Sequence, residues 1–261
     1  MKPVTPSVRI PNMVSLEVDG VVYRRRGFLF DKDGTLISFS HWVRVMVERA
    51  HRLAQALGLS RAEEKELSMM LGVDPETLET LPRGIIYAPR RDAEFLTAEY
   101  LGKRFGLPLH QARDLVERVF AEVDADFPWE GALEPTPGAT ELLEEIKRAG
   151  GMVAVVTHDS AAAAARHLRS LGWEELVDAV VGLDICSQGK PHPEPVLRAC
   201  ELLGITPREA VMVGDTRADI LAGKAAGCHP NIGVLTGLGQ SEELRVADHL
   251  IPHLKALKIE G

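Results

Sequence analysis

Gly27-Phe28-Leu29-Phe30-Asp31-Lys32-Asp33-Gly34-Thr35-Leu36-Ile37 is the stretch whose reading decides the fold of this chain. Phe28–Phe30 is a short unbroken apolar run, the pattern of a strand buried on both faces. It stops abruptly at two carboxylates, Asp31 and Asp33, and Gly34 then lets the chain turn sharply away. Taken alone, Asp33-Gly34 is also an ordinary turn pair, so the flanking sequence has to separate the two readings.

Upstream, Val14–Val18 alternates, Asp19-Gly20 is a hairpin turn pair, and Val21-Val22-Tyr23 resumes the apolar run. Downstream, from about Ser38 to Glu134, strand-like runs give way to helical periods. Trp42, Val43, Met46, Val47, Ala50, Leu53, Ala54 and Leu57 follow i, i+3, i+4 spacing, and similar patterns cover 61–71, 92–105 and 108–124. Gly58, Gly72 and Gly106 stand where these helices could stop. After Pro135-Thr136-Pro137-Gly138, helices over 139–149, 160–171, 194–203 and 217–226 alternate with strands over 152–156, 179–181, 210–213 and 231–234, and a last strand covers 249–251. Such alternation predicts an α/β fold, a doubly wound and mostly parallel Rossmann-like sheet. Phe28–Phe30 would be one of its strands, and an all-helical domain would be inserted after it. The expected organisation is 1–37 for the hairpin and first core strand, 38–134 for the helical insert, and 135–261 for the rest of the core.

In open α/β sheets ligands bind at the carboxyl ends of the strands. Polar residues fall there repeatedly: Asp31 and Asp33 after Phe30, Thr157-His158-Asp159 after Val156, and Gly214-Asp215 after Val213, with Asp219 one helical turn further on. Carboxylates gathered at one sheet edge repel one another unless a cation holds them. Oxygen donors without neighbouring His or Cys favour Mg²⁺ over Zn²⁺. Lys190, in Gly189-Lys190-Pro191-His192-Pro193, precedes a helix, and an ammonium beside a metal and helix N-termini suits a phosphate. A carboxylate nucleophile, a second carboxylate, a hydroxyl, a lysine and a metal together suit phosphoryl transfer through an aspartyl phosphate.

These residues resemble the four motifs of the haloacid dehalogenase-like hydrolases: Asp31-Lys32-Asp33-Gly34-Thr35, then Thr157 after an apolar strand, then Lys190 in Gly-Lys-Pro-His-Pro-Glu-Pro, then Gly214-Asp215-Thr216-Arg217-Ala218-Asp219. The run Ile220–Gly227 matches as well, and the helical block lies between the first and second motifs as a cap would. The nearest likeness is to the phosphoglycolate phosphatase-like group. The resemblance covers roughly 28–36 and 135–240 and leaves the first 27 residues outside it. It implies that Asp31 attacks the phosphate and that Asp33 protonates the leaving alcohol and then deprotonates water. It further implies that Thr157 and Lys190 hold phosphoryl oxygens, and that Asp31, the Asp33 carbonyl, Asp215 and Asp219 hold Mg²⁺. Two positions depart from the group's usual pattern: Leu36-Ile37-Ser38-Phe39, where an Asp and a Ser commonly follow the apolar pair, and His158, where Asn, Ser or Gly is common.

The expected activity is Mg²⁺-dependent hydrolysis of a small phosphorylated metabolite, with phosphoglycolate the first substrate to test. A phosphosugar mutase of the same superfamily and a non-catalytic phosphate-binding protein are the alternatives. A dehalogenase would have no use for Asp33 or the metal set. In the insert, Arg90 and Arg91, in a loop before a helix, are the candidate specificity residues, with Arg44 and Arg83 behind them and His158 in the core. His192 fits a structural turn, and Arg24-Arg25-Arg26 fits a solvated strand edge.

Composition agrees with this picture. Lys and Arg number 30 against 38 Asp and Glu, a net charge of −8, so the chain carries no overall basic footprint for nucleic acid. No apolar run reaches the ~18 residues of a membrane span, and Met1–Pro11 lacks the apolar core of a signal peptide. Cys186, Cys200 and Cys228 form no C-x-x-C pair and read as buried apolar residues. A cytoplasmic protein, monomeric or homodimeric, is the expectation.

Overall fold

The computed structural model describes residues 12–81 and 84–260, so Arg83 and the Met1–Pro11 segment lie outside the described residues. Residues 14–25 form the hairpin: β1 (Val14–Val18) and β2 (Val21–Arg25) pair antiparallel with Val18 opposite Val21. The turn places both Asp19 (φ 50°) and Gly20 (φ 76°) in the left-handed region, the geometry that an Asp-Gly pair tolerates best. The buried face of β1 is Val14, Leu16 and Val18. Its other edge pairs with a strand that the sequence did not suggest, β9 (Lys258–Glu260), giving a three-stranded sheet in the order β2-β1-β9. Arg24 and Arg25 end the edge strand β2, and Arg26 pairs with Glu209 at 3.2 Å.

The Phe28–Phe30 run lies in β3 (Gly27–Phe30), whose four residues are all buried. It is a central strand of a six-stranded, wholly parallel sheet ordered β5-β4-β3-β6-β7-β8. The other members are β4 (Met152–Val156), β5 (Ala179–Val181), β6 (Ala210–Gly214), β7 (Asn231–Val234) and β8 (His249–Ile251). In chain order within this sheet the arrangement is 3-2-1-4-5-6, the doubly wound order whose direction reverses beside the first strand. The switch point therefore lies at the carboxyl end of β3, flanked by β4 and β6. Helices α5 (Ala139–Arg148), α6 (Ala161–Ser170), α7 (Glu194–Leu203) and α8 (Arg217–Ala226) connect the strands. Cys200 and Cys228 are buried in an apolar cluster with Leu29, Val156, Val196 and Met212, and Cys186 packs against it.

Residue contacts divide the chain into two units, one of Met1–Ser38 with Pro135–Gly261 and the other of Phe39–Glu134. The second unit is helical: α1 (Ser40–Leu57), α2 (Arg61–Leu71), α3 (Arg90–Phe105) and α4 (Leu109–Asp126). The first three end at Gly58, Gly72 and Gly106 in the left-handed conformation. Ser60 and Glu63 form a reciprocal capping box at the start of α2. Arg90 and Arg91 are not in a loop: α3 starts two residues earlier than its periodicity suggests, with Pro89 at the cap position in an extended conformation (ψ 147°) and its carbonyl accepting the first helical hydrogen bond, from the Ala93 amide at 2.9 Å. Among the described residues no helix is long and apolar enough to cross a membrane.

Candidate active site

Ladder hydrogen bonds run one residue past the strands and fix the first site residues. The Asp31 amide donates to the Val213 carbonyl and the Thr157 amide to the Val181 carbonyl, both at 2.9 Å. Beyond Asp31 the chain folds back at once: the Gly34 amide donates to the Ile37 carbonyl, and the Leu36 and Ile37 amides both donate to the Lys32 carbonyl. Asp215 follows β6, and Asp219 lies in the first turn of α8, where its carboxylate and Thr216 cap each other.

The fold thus brings together residues distant in sequence. Carboxylate oxygens of Asp31, Asp215 and Asp219 lie within 4.8 Å of one another, and all three residues are buried. The buried Lys190 ammonium stands 2.6 Å from Asp31 Oδ1, 2.6 Å from Asp219 Oδ1, and donates to the Val156 carbonyl at 2.7 Å. Three carboxylates against one ammonium leave excess negative charge in a buried site. Burial accordingly pushes the Asp31 carboxyl well above its ordinary range; Lys190 opposes this, and Asp219 and Asp215 add to it. Asp215 is pushed up to about 6, first by burial and then by Asp219. Burial would lower the Lys190 ammonium, but Asp219 and Asp31 outweigh it and hold the group above the ordinary lysine value.

This donor set fits a divalent cation. All the donors are hard carboxylate oxygens, and no His or Cys belongs to the cluster. The backbone also makes room for it. Gly34 has φ +92°, and a Cβ there would come within 2.5 Å of Asp215 Oδ2, while a Cβ on Gly237 would overlap the same carboxylate. Thr35 Oγ1 donates to Asp215 Oδ1 at 3.1 Å and the Leu238 amide to Oδ2 at 2.8 Å, so Asp215 is held from two loops. Gly34→Ala is therefore expected to cost about 1–3 kcal/mol from the left-handed backbone alone, visible as a lowered Tm, and to weaken metal-dependent activity as Asp215 is displaced. An unchanged Tm would show that the loop relaxes without strain.

Asp33 stands apart from the carboxylate cluster: Lys32, wholly buried, places its ammonium 3.1 Å from Asp33 Oδ2. Thr157 is buried, and its Oγ1 accepts from the Asp159 amide at 3.1 Å. His158 is exposed, with Nε2 3.1 Å from the Lys190 carbonyl. His192 accepts from the Glu194 amide at 3.3 Å, a bond within its own turn.

Some of these partners went unread in the sequence. Lys32 stood in the quoted motif between two acids with no role assigned to it. Thr35 stood in the quoted motif without a role. The Thr236–Gly239 loop follows β7, so the strand-end rule that found Asp215 would have found it too.

A family model for haloacid dehalogenase-like hydrolases matches residues 26–227. The chain belongs to the haloacid dehalogenase-like hydrolases. A phosphoglycolate phosphatase of Salmonella typhi is 29% identical over 226 residues, covering 85% of this chain and 86% of the relative. A phosphoglycolate phosphatase of Escherichia coli K12 is 28% identical over 222 residues, covering 84% of each. Among solved structures, a predicted phosphoglycolate phosphatase from Haemophilus somnus aligns with a TM-score of 0.65 at 21% identity over 88% of this chain and 94% of that one. A β-phosphoglucomutase from Clostridium difficile aligns with a TM-score of 0.57 at 20% identity over 88% and 91%. At such identities the structural likenesses establish the fold.

In this hydrolase the helical unit has a charged centre of its own. Arg49, buried, donates to Asp124 at 2.7 Å, with its guanidinium carbon 4.2 Å from the Phe120 ring centre and 5.5 Å from that of Trp42. Arg90 pairs with the same Asp124 and with Glu94, and lies 5.3 Å from the Phe120 ring centre. Arg91 and Arg44 are exposed. Of the two arginines singled out first, Arg90 is thus committed to partners within its own unit, through an acid 34 residues away that no local pattern pointed to.

Proposed function

We propose that this hydrolase is a Mg²⁺-dependent phosphatase acting on a small phosphorylated metabolite through a phosphoaspartate on Asp31. The observation that supports it most is the Asp31 carboxylate itself. It is buried at the switch point of a parallel sheet, 2.6 Å from a buried lysine and clustered with Asp215 and Asp219. Phosphoglycolate is the substrate to test first, because the relatives that share about 85% of the chain carry that name.

In this reading an Asp31 oxygen attacks phosphorus while Asp33 gives its proton to the departing alcohol. Lys190 and the Thr157 hydroxyl hold the phosphoryl oxygens. Asp33 then takes a proton from water as it attacks the phosphoaspartate, which releases inorganic phosphate and restores Asp31. Asp31, the Asp33 carbonyl, Asp215 and Asp219 would hold Mg²⁺, which when bound neutralises the carboxylate excess and the charge of the phosphoryl group. Phosphate release from a panel of monoesters, with and without EDTA, tests the proposal. Formation of a sugar bisphosphate without phosphate release would favour the mutase alternative, and binding without turnover the non-catalytic one.

The core groups all act on the phosphoryl group that every such ester shares, so choice among esters is assigned to the helical insert, with His158 as the core's contributor. Arg91 is the better reader of an anionic leaving group, since Arg90 is already paired. Arg91→Ala is expected to change the ranking of anionic against neutral phosphate esters by roughly 5- to 150-fold in kcat/KM, the range of one charge-assisted hydrogen bond. Arg90→Ala is instead expected to lower stability by about 1 kcal/mol, or ~2–4 °C in Tm. An unchanged ranking in Arg91→Ala would move the search to Arg44, Arg83 and His158.

A further inference from the structure

Lys32 is a buried ammonium that the reaction as described does not use. Its Nζ lies 2.6 Å from Asp159 Oδ2, 2.7 Å from His167 Nδ1 and 3.1 Å from Asp33 Oδ2, and its side chain has no exposed surface. An ammonium has three donors and no acceptor, so all three are used, and His167 Nδ1 must accept, which places the imidazole proton on Nε2. The anchors belong to the second motif. The Asp159 amide donates to Thr157 Oγ1, Ser160 caps α6, and His167 is a buried residue of that helix. Lys32 therefore ties the Asp33 carboxylate to the loop and helix that carry Thr157.

Packing alone does not account for this side chain. A buried ion pair seldom stabilises more than an apolar group of the same volume, and Lys32 follows Phe28-Leu29-Phe30 at the end of a fully buried strand. The two motif acids are also treated differently: Asp31 takes Lys190 as its partner and Asp33 takes Lys32. Asp33 is thus held outside the Asp31–Asp215–Asp219 cluster, where a fourth carboxylate would add to the repulsion.

We infer that Lys32 is a positioning residue for proton transfer: by gripping Oδ2 of Asp33 and anchoring to Asp159 and His167, it fixes the carboxyl that protonates the leaving oxygen. The inference rests on the phosphatase reading. In the step concerned, Oδ2 of Asp33 accepts from the Lys32 ammonium and the acid's proton sits on the other carboxyl oxygen. The Asp31 oxygen–phosphorus bond forms, the phosphorus–alkoxy oxygen bond breaks, and that proton goes to the alkoxy oxygen. No other reactant is needed.

A leaving group that needs no proton separates positioning from a general structural role. For an alkyl phosphate such as phosphoglycolate, misplacing the acid should be costly; for p-nitrophenyl phosphate, whose phenolate leaves unassisted, it should not. Lys32→Met is expected to lower kcat/KM on the alkyl ester by about 100-fold, the scale of an ångström-size misplacement of a catalytic group. On the aryl ester kcat/KM, which reports only the steps through departure of the phenolate, should change by less than about threefold. In an Asp33→Asn background the same substitution should add no further leaving-group dependence, since the group it positions is gone. Should Lys32→Met not accumulate as folded protein, Asp159→Asn keeps the ammonium and removes its strongest anchor, and is expected to show the same selective loss, about tenfold. Equal losses on both esters, or none on the alkyl ester, in a folded variant would overturn the role of Lys32 while leaving the phosphatase reading intact. Failure of the wild-type protein to hydrolyse either ester would overturn that reading and this inference with it.

Discussion

Asp31→Asn is expected to abolish phosphate release, by about 10³-fold or more, while leaving the protein at least as stable as the wild type. An amide cannot form the acyl phosphate, and losses of this size accompany removal of a covalent nucleophile. The stability half of the expectation comes from the site's electrostatics. Burial holds the Asp31 carboxyl well above its ordinary range, with Asp219 and Asp215 adding to the effect, so the charged form is disfavoured in the folded protein. A neutral amide removes that penalty. Lys190 loses one partner but keeps Asp219 at 2.6 Å and the Val156 carbonyl at 2.7 Å. In metal-free buffer near neutral pH, Tm should therefore be unchanged or higher. Activity above a few per cent in protein shown by mass spectrometry to be free of deamidation would remove Asp31 from its assigned role. A dead variant with a much lower Tm would mean that the substitution acts through folding instead.

The features legible in the sequence share one physical property: they are local. Phe28–Phe30, Val153–Val156 and Val211–Val213 are apolar runs fit only for a strand buried on both faces, so they gave the parallel sheet and put Asp31, Thr157 and Asp215 at one edge. Asp19-Gly20 gave the hairpin, because few residue pairs accept two positive φ angles. The features missed depend on partners distant along the chain. Lys-Ile-Glu at 258–260 has too little pattern to read as a strand, and it becomes one against the free edge of β1. Lys32 drew no role because its anchors, Asp159 and His167, lie 127 and 135 residues away. Arg90 looked available because Asp124 stands on another helix. Charged side chains were the hardest to place, since a solvated charge and a paired buried one have the same sequence.

Removing the divalent cation is the other change expected to have a large effect, and the site's acids give it a pH signature. EDTA should lower turnover by at least about 100-fold, the worth of several kcal/mol of charge stabilisation, and Mg²⁺ should restore it. Ca²⁺ should not, because it prefers longer bonds and more ligands. In the cation-free protein Asp215 titrates near 6, above its ordinary value of 3.8. Between those values the folded state holds more protons than the unfolded one, so this group's contribution makes stability fall as pH rises through the window. A cation bound by the ionised carboxylates reverses that loss. The rise in Tm on adding Mg²⁺ should consequently be small at pH 5 and larger at pH 7.5, and an equal rise at both would contradict a carboxylate-held metal. The two outer acids should also separate. Asp215 is cradled by Thr35, the Leu238 amide and the close backbones of Gly34 and Gly237, and among the described residues it forms no lysine ion pair. Asp219 already pairs with Lys190 and caps α8 through Thr216. Asp215→Ala is thus expected to raise the Mg²⁺ concentration needed for half-maximal activity more than Asp219→Ala does. Asp219→Ala should be the one that lowers the cation-free Tm, through loss of a helix cap worth about 0.5–2 kcal/mol. If the two variants need the same Mg²⁺, Asp219 is as much a ligand as Asp215, and its pairing with Lys190 must open when the metal binds.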